Sequence, residues 1–325
     1  MRAGWICTVA FFLLIMGSAG PAVAQVGDQA GDEVKRAVAS VVSSSIASAI
    51  ADSVSRSIVG NGLGVMPTTT VFGGPFYNRI DAGFSSGSES LKDLKGTTLK
   101  LDTFGGLAGF VYKVKDIEED FLVHGVVFGS RSNADVKCGP VLRLKSDRCS
   151  DAPGGAFSTD VGFVNVTLGG NLLFVNTQSV KGWITLEGGP SNVSLDTGNT
   201  WFWTTALSAT LSLRAGPILL EPTVGALVLS DLDSGPNVPP PTTTFETGFS
   251  LKYRGGTFRP QLNVFYAKTV EPPRGDDGSI SVTPEILYAI SPSVLLGGAY
   301  SYATSLGRGI DITSHTGSLE FRWIF

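Results

Sequence analysis

The sequence predicts an all-β protein: a twelve-stranded antiparallel transmembrane β-barrel with an N-terminal α-helix inside its pore. Three observations lead to this prediction: the chain opens with an export signal, a long slim helix follows, and twelve strand-like segments fill the rest. The composition agrees, because 41 of the 325 residues are glycine and only 16% are charged, which suits many strands joined by turns. No run of 18 apolar residues follows the export signal, so no transmembrane helix is expected.

Residues 1–24 have the three parts of a secretory signal peptide. Arg2 supplies the positive end, Phe11–Met16 forms the centre of an apolar core, and Ala22–Ala24 fits a small-residue cleavage site. Cys7 precedes the apolar core and would be removed with the leader. The mature protein is therefore expected to enter an oxidising compartment beyond an inner membrane.

A helix is predicted for residues 32–59, within an N-terminal segment that spans residues 25–70 and ends in a connector. Asp32 is a suitable N-cap, and Gly60 would end the helix. Its apolar ridge recurs every four residues, at Val34, Val38, Val42, Ile46, Ile50, Val54 and Ile58. The other faces are mainly Ser and Ala, and a length of about 40 Å matches a bilayer with its interfaces. Such a helix suits a narrow pore, and an amphipathic helix on a periplasmic surface is the alternative.

Residues 71–325 are predicted to form the barrel. Apolar and polar residues alternate most clearly in the second half, where Phe245 and Phe249 would take one face and Glu246 and Lys252 the other. A soluble sandwich also alternates, but here the polar face is charged and the apolar face ends in aromatics, as in outer-membrane barrels. The predicted strands are 74–84, 98–112, 121–130, 157–174, 180–188, 201–213, 218–229, 243–253, 258–267, 279–289, 294–303 and 314–325.

The segments between these strands alternate in length. Those after even-numbered strands are short, such as Asn176–Ser179 and Ser291–Ser293, whereas those after odd-numbered strands are longer, such as 131–156 and 189–200. Transmembrane barrels have short periplasmic turns and long outer loops. We therefore expect an integral outer-membrane protein of a Gram-negative bacterium, in contact with outer-membrane lipid and with its first strand rising from the periplasm.

Cys138 and Cys149 lie in the longest predicted outer loop and are the only cysteines left after export. A disulfide between them is the natural pairing in an oxidising compartment. Metal binding would need His or further Cys residues nearby, and the loop has none.

The polar strand faces carry charges that are expected to line the lumen. They could pair with one another and with helix hydroxyls to hold the helix, since buried charges need partners. Alternatively, they could form a selectivity lining for solutes. These residues are Lys181, Glu187, Arg214, Glu221, Glu246, Lys252, Arg259, Glu285, Glu320 and Arg322.

No catalytic set is found in the sequence. Outer-membrane phospholipases place Ser two residues after His, but Val126 and Gly317 stand at that distance from His124 and His315, so no activated nucleophile can be assigned. No phosphate-binding glycine loop opens a helix, and no basic cluster with interleaved aromatics indicates nucleic-acid binding. We expect a monomer that is not an enzyme and that needs no metal or cofactor.

With these elements the chain resembles the autotransporter β-domain, the translocator of type V secretion, over residues 32–325. The helix Asp32–Ile58 before the barrel, the twelve strands and the closing stretch Leu319–Phe325 carry the resemblance. It implies that the helix lies in the pore. It also implies that the barrel-assembly machinery recognises the C-terminal aromatic signal, here Phe321, Trp323 and Phe325.

The resemblance implies a translocator-type transport barrel, but only Gln25–Gly31 precede the helix, so no sizeable passenger is expected. One alternative is a small outer-membrane porin whose helix can be displaced. A second alternative is an adhesin-like surface protein that uses its acidic and proline-rich outer loops, Asp231–Thr242 and Glu271–Asp277.

Overall fold

The structure is a computed structural model that describes residues 69–85, 95–114, 121–145, 149, 151, 153–195, 198–231, 242–269, 278–306 and 310–325. The signal peptide and the predicted pore helix lie outside the described residues. The strands are β1 Thr69–Phe84, β2 Thr98–Lys113, β3 Phe121–Lys137, β4 Ala156–Asn176, β5 Val180–Leu195, β6 Gly198–Ala215, β7 Ile218–Asp231, β8 Thr242–Tyr253, β9 Phe258–Thr269, β10 Gly278–Ser291, β11 Val294–Ser305 and β12 Ile310–Ile324.

Two short helical turns, α1 Pro140–Lys145 and a 3-10 turn Pro153–Gly155, lie between β3 and β4. Within the described ranges, no helix is long and apolar enough to cross a membrane.

The twelve strands close into one antiparallel barrel. Each strand pairs with its sequence neighbours, and β1 pairs with β12 from Thr70 opposite Ile324 to Phe84 opposite Ile310. Closure leaves no free strand edge that could pair with another chain. The predicted all-β fold and the predicted number of strands are confirmed.

The outer face of the barrel is apolar and exposed on β6–β12, whereas on β1–β4 it also carries exposed charges such as the Arg131–Asp160 pair. Phe249 and Leu251 of β8 are 40% and 43% exposed, whereas their neighbour Lys252 is 1% exposed and faces inward. Exposed aromatic side chains lie near both ends of the strands, as in membrane-spanning barrels. They include Trp201, Trp203, Phe245, Tyr266 and Tyr302 at one end and Phe174, Tyr253, Phe258, Tyr288, Trp323 and Phe325 at the other.

Three predicted loops are clearly shorter in the structure because their flanking strands are longer. β3 runs to Lys137, so the predicted loop 131–156 is reduced to 138–155. β5 runs to Leu195 and β6 starts at Gly198, so only residues 196–197 separate the two strands where the sequence predicts a loop over 189–200. The stretch reads as a loop because it is rich in Gly, Pro, Ser and Asn, but Val193 is fully buried opposite Phe163 of β4. Likewise β12 starts at Ile310, which shortens the last loop to residues 306–309. The alternation of loop lengths therefore fails at β5–β6.

The two ends of the barrel are distinguished by their connections. The turns 216–217 and 292–293 lie at one end, which also holds Thr69 and Phe325, and we call it the turn end. The opposite end carries the long connections 85–97 and 138–155, and we call it the loop end.

Candidate functional site

The lumen has an apolar wall, formed by the inward-facing side chains of β1–β5. Polar side chains such as Asn78, Thr103 and Asn165 are also buried on these strands, so the inner face here is mixed rather than uniformly polar. In β1, inward Phe72 and Phe76 alternate with outward Val71 and Tyr77, so large apolar residues lie on both faces, and the outward face also carries the Arg79–Asp81 ion pair. The buried members of the apolar wall include Phe72, Phe76, Ile80, Phe84, Leu99, Leu101, Leu122, Phe128, Val161, Phe163, Trp183 and Val193.

Three phenylalanine rings line part of this wall. The ring centroids of Phe76 and Phe128 are 4.7 Å apart and stacked, and those of Phe128 and Phe163 are 5.7 Å apart and edge-on. Such pairs add to the stabilisation that comes from burial alone. Gly105 makes room for them, because a Cβ atom at this position would lie 2.2 Å from Phe76 Cζ.

The opposite side of the lumen is a polar wall, formed by inward-facing side chains of β6–β12. In the closed ring of twelve strands, β9 lies opposite β3, so the two walls face each other. The members of the polar wall are Ser212, Glu221, Ser250, Lys252, Gln261, Asn263, Thr283, Glu285, Ser318, Glu320 and Arg322.

Lys252 and Glu221 form a buried ion pair in the polar wall. Lys252 Nζ lies 2.5 Å from Glu221 Oε2, and both side chains are at most 2% exposed. Ser212 Oγ donates a hydrogen bond to Glu221 Oε1 at 2.8 Å. This carboxylate therefore has both a cation and a hydroxyl donor, as a buried charge requires.

Arg322 joins two carboxylates on different strands. Its Nε and Nη2 atoms donate to Glu320 at 2.5 and 2.9 Å, and Nη2 also donates to Glu285 Oε1 at 3.2 Å. Arg322 lies on β12 and Glu285 on β10, and the inward positions of β11 between them are Gly297 and Ala299. Gly297 leaves room for Leu287, whose Cδ2 atom would lie 2.7 Å from a Cβ atom at this position.

Several buried polar atoms of the polar wall have no hydrogen-bond partner among the described residues. Both amide atoms of Gln261 and of Asn263 are in this state, although these side chains are 6% and 1% exposed. Arg322 Nη1, Glu285 Oε2 and Arg254 Nη2 are also buried without a hydrogen-bond partner. Since leaving such groups unpaired costs about 1–3 kcal/mol each, the polar wall is suited to contact a polar occupant of the lumen.

Arg254 lies in the β8–β9 turn at the turn end of the barrel. Burial lowers the pKa of its guanidinium to about 10, against the effect of the Glu221 carboxylate, which raises it. The nearby Arg322 and Arg259 lower the pKa further. Arg254 is therefore still cationic at neutral pH, in surroundings that disfavour its charge.

A polar network with His124 at its centre interrupts the apolar wall. Thr185 Oγ1 donates to Asn171 Oδ1, and Asn171 Nδ2 lies 2.9 Å from His124 Nδ1. Because that amide nitrogen is a donor, Nδ1 accepts and the proton lies on Nε2, which donates to Glu187 Oε2 at 3.0 Å. The ring reaches Glu187 by lying over Gly169, where a Cβ atom would be 2.5 Å from it.

The remaining predicted lumen charges are less buried. Lys181 and Glu246 share the inward phase of their strands and are partly exposed. Arg259 and Arg214 donate from Nε to the turn carbonyls of Gly256 and Gly216, and Arg214 is exposed at the turn end rather than inside the lumen.

The second histidine, His315, lies on the outer face. Its Nδ1 atom lies 2.7 Å from the Tyr300 hydroxyl, and its ring also contacts Tyr302. Within the described residues, no three His, Cys, Asp or Glu side chains are grouped as metal ligands.

Cys138 and Cys149 are joined by a disulfide with a Cα–Cα distance of 6.0 Å. Both residues are buried and belong to the same apolar cluster as the inward residues of β1–β5. Gly139 N donates to Thr97 Oγ1 at 3.0 Å, so the β3–β4 connection is tied to the β1–β2 connection at the loop end.

The aromatic residues of the closing strand face outward. Phe321, Trp323 and Phe325 are 45%, 50% and 59% exposed, and the Trp323 and Phe325 rings stack with centroids 4.9 Å apart. Phe325 N donates to Thr69 O at 2.9 Å, which joins the end of the chain to the start of β1.

The structure resembles solved outer-membrane barrels. The transport unit of the autotransporter AIDA-I from Escherichia coli matches with a TM-score of 0.55 and 11% identity over 79% of this chain and 90% of that chain. An outer-membrane channel from Pseudomonas putida F1 matches with a TM-score of 0.55 and 12% identity over 81% of this chain and 98% of that chain. No family model matches the chain, and no curated protein matches it in sequence. At this identity the likeness shows the fold alone.

Proposed function

We propose that this chain is an integral outer-membrane transport barrel of the translocator type, whose pore is closed by the helix predicted for residues 32–59. The observation that carries the proposal is the burial of inward side chains on both walls of the lumen. Leu101 on the apolar wall is fully buried, and Arg322 on the polar wall is 1% exposed.

This burial favours a filled lumen over a water channel. Side chains alone fill barrels of about eight strands, whereas barrels of about sixteen leave an aqueous pore. With twelve strands, an open lumen would leave inward-facing residues on opposite walls in contact with water. A slim helix with an apolar ridge and Ser-rich faces would contact an apolar wall on one side and a polar wall on the other.

The exposed outer surface supports a membrane location. Large apolar side chains cover this surface on every strand from β6 to β12, far more than a soluble protein exposes. In the proposed orientation the turn end faces the periplasm and the loop end faces outward. The barrel-assembly machinery would recognise Phe321, Trp323 and Phe325 during insertion.

Planar-bilayer recordings test the proposal. The intact chain is expected to conduct ions weakly, and a variant that lacks residues 25–60 is expected to form open channels. Equal conductance of the two proteins would place the helix outside the pore.

The apolar wall favours one second candidate, a channel for small apolar solutes that opens when the helix is displaced. Proteoliposomes distinguish it: uptake of a small aromatic compound should then exceed uptake of a sugar of similar size. The predicted surface-interaction role stays a prediction, because residues 232–241 and 270–277 of the outer loops lie outside the described residues.

A further inference from the structure

The β6–β7 and β8–β9 turns lie side by side at the turn end of the barrel and are built alike. Arg254 N of the second turn donates a hydrogen bond to Pro217 O of the first at 2.7 Å. In each turn an arginine, Arg214 or Arg254, stands two residues before a glycine with positive φ, 61° at Gly216 and 77° at Gly256. Since only β7 separates β6 from β8, the backbones of the two arginines are about 10 Å apart.

The carbonyl groups of these turns hold two guanidinium groups in place. Arg214 Nε donates to Gly216 O at 3.2 Å, and Arg259 Nε, at the start of β9, donates to Gly256 O at 3.3 Å. Over the ranges that the structure describes, no carboxylate forms an ion pair with Arg214, Arg254 or Arg259. The terminal nitrogens of Arg214 and Arg259 are therefore available as forks that fit a carboxylate or a phosphate group.

Arg254 adds a buried donor that lacks an acceptor. Its Nη2 atom is buried without a hydrogen-bond partner among the described residues. Burial lowers the pKa of its guanidinium, and Arg322 and Arg259 lower it further. Glu221 raises this pKa, but its carboxylate is already paired with Lys252. A bound anion would satisfy the buried donor and offset the repulsion among these cations.

The arginines surround the mouth of the lumen rather than the lipid-facing surface. Arg214 and Arg259 share the strand phase of Ser212 and Gln261, which are buried and face inward. Their strand neighbours Leu213 and Phe258 are exposed on the apolar outer face. A soluble anion that approaches the turn end would therefore reach these groups without entering the lipid.

We propose that Arg254 and Arg259, with Arg214 beside them, form a binding site for a soluble oxyanion, a phosphate or carboxylate group, at the turn-end mouth of the lumen. Arg254 Nη2 and the terminal nitrogens of Arg259 donate to its oxygens, and Arg214 contributes a third positive charge. In the proposed orientation the site faces the periplasm. The inference goes beyond the proposed function and does not depend on what fills the lumen.

Titration of the full-length folded barrel with inorganic phosphate in detergent, at constant ionic strength, tests the site. Calorimetry should show saturable binding, and phosphate should raise the temperature midpoint of the gel shift between unboiled and boiled protein, because a ligand of the folded state stabilises it. Arg254→Gln and Arg259→Gln should each lower the phosphate affinity about tenfold or more, as expected for a lost charged hydrogen bond. Arg214→Gln should lower it less, and acetate should compete with phosphate.

Arg131→Gln is the matched control, because Arg131 is exposed on the outer surface and pairs with Asp160; it should bind phosphate as the intact chain does. Arg259→Gln remains informative if Arg254→Gln fails to assemble. Absence of phosphate binding, or equal affinity in Arg254→Gln, Arg259→Gln and the intact chain, would overturn the site. Phosphate binding that persists in phosphatidylcholine vesicles but is lost in phosphatidylglycerol vesicles would overturn the soluble ligand in favour of a lipid phosphate.

Discussion

Arg322 of the last strand donates a hydrogen bond to Glu285 of β10 at 3.2 Å, across the whole width of β11. This contact joins two strands that share no backbone hydrogen bonds. Because Arg322 also holds the partly exposed Glu320, one guanidinium compensates two carboxylates on the lumen face, of which Glu285 is buried.

We expect Arg322→Met to destabilise the folded barrel by about 3–5 kcal/mol, because it leaves the buried Glu285 and the partly exposed Glu320 without a cation. Barrels that resist detergent migrate differently before and after boiling, so the urea or temperature midpoint of this gel shift measures the loss. Arg131→Met removes an exposed ion pair and should cost about 1 kcal/mol or less. Equal midpoints for the two variants would contradict the role of Arg322.

Gly169 is expected to be indispensable to the His124 network. Gly169→Ala places a Cβ atom against the His124 ring, whereas Gly129→Ala on the neighbouring strand meets no atom within 4 Å. The first substitution should destabilise the barrel by about 1–3 kcal/mol through overpacking and loss of the Glu187 contact, and the second should have little effect. The same gel-shift midpoint distinguishes the two variants. A Gly169→Ala barrel as stable as Gly129→Ala would show that the ring does not need this space.

The disulfide is expected to stabilise the β3–β4 connection without being needed for insertion. A bridge with a sequence separation of 11 contributes about 2–3 kcal/mol by restricting the unfolded chain. A thiol probe should label Cys138 and Cys149 only after reduction, and Cys138→Ser should still insert in the membrane. Labelling of both residues without reductant would refute the pairing in the exported protein.

Deleting Phe325 should lower the fraction of protein that folds in the outer membrane. The deletion removes the hydrogen bond to Thr69 and the stacking with Trp323, together with the proposed assembly signal. The folded fraction is read from the gel shift of unboiled membranes. A folded fraction equal to that of the intact chain would remove the role in assembly and leave the barrel fold unaffected.

For the strands in which only one face is apolar, the sequence was sufficient to predict which side chains point into the lumen. On β8, β9, β10 and β12 the charged residues alternate with aromatic and aliphatic ones, and the structure places Lys252, Glu285 and Arg322 inward as the pattern predicts. Apolar and polar residues alternate with a period of two in these strands because the lipid-facing side chains are apolar and the lumen-facing ones are polar.

The apolar wall could not be predicted in the same way. In β1 to β5 large apolar residues lie inward and charged residues also lie outward, for example inward Ile80 beside outward Arg79, so the pattern of apolar-out and polar-in residues does not hold there. Pairing with β4 also extends β5 through a stretch whose composition is typical of a loop, because Val193 becomes buried opposite that strand. The His124–Glu187 contact was missed because it links β3 to β5 across Gly169, a relationship that only the register reveals.

The most direct test of the closed lumen is the accessibility of the helix ridge in the folded barrel. Ile50→Cys should resist a charged, membrane-impermeant maleimide in unboiled protein and should be labelled after boiling in detergent, because the ridge lies against the apolar wall. Leu144→Cys is the control, since Leu144 is 89% exposed on the β3–β4 connection and should be labelled in both states. Labelling of Ile50→Cys in the folded barrel as fast as Leu144→Cys would contradict the account.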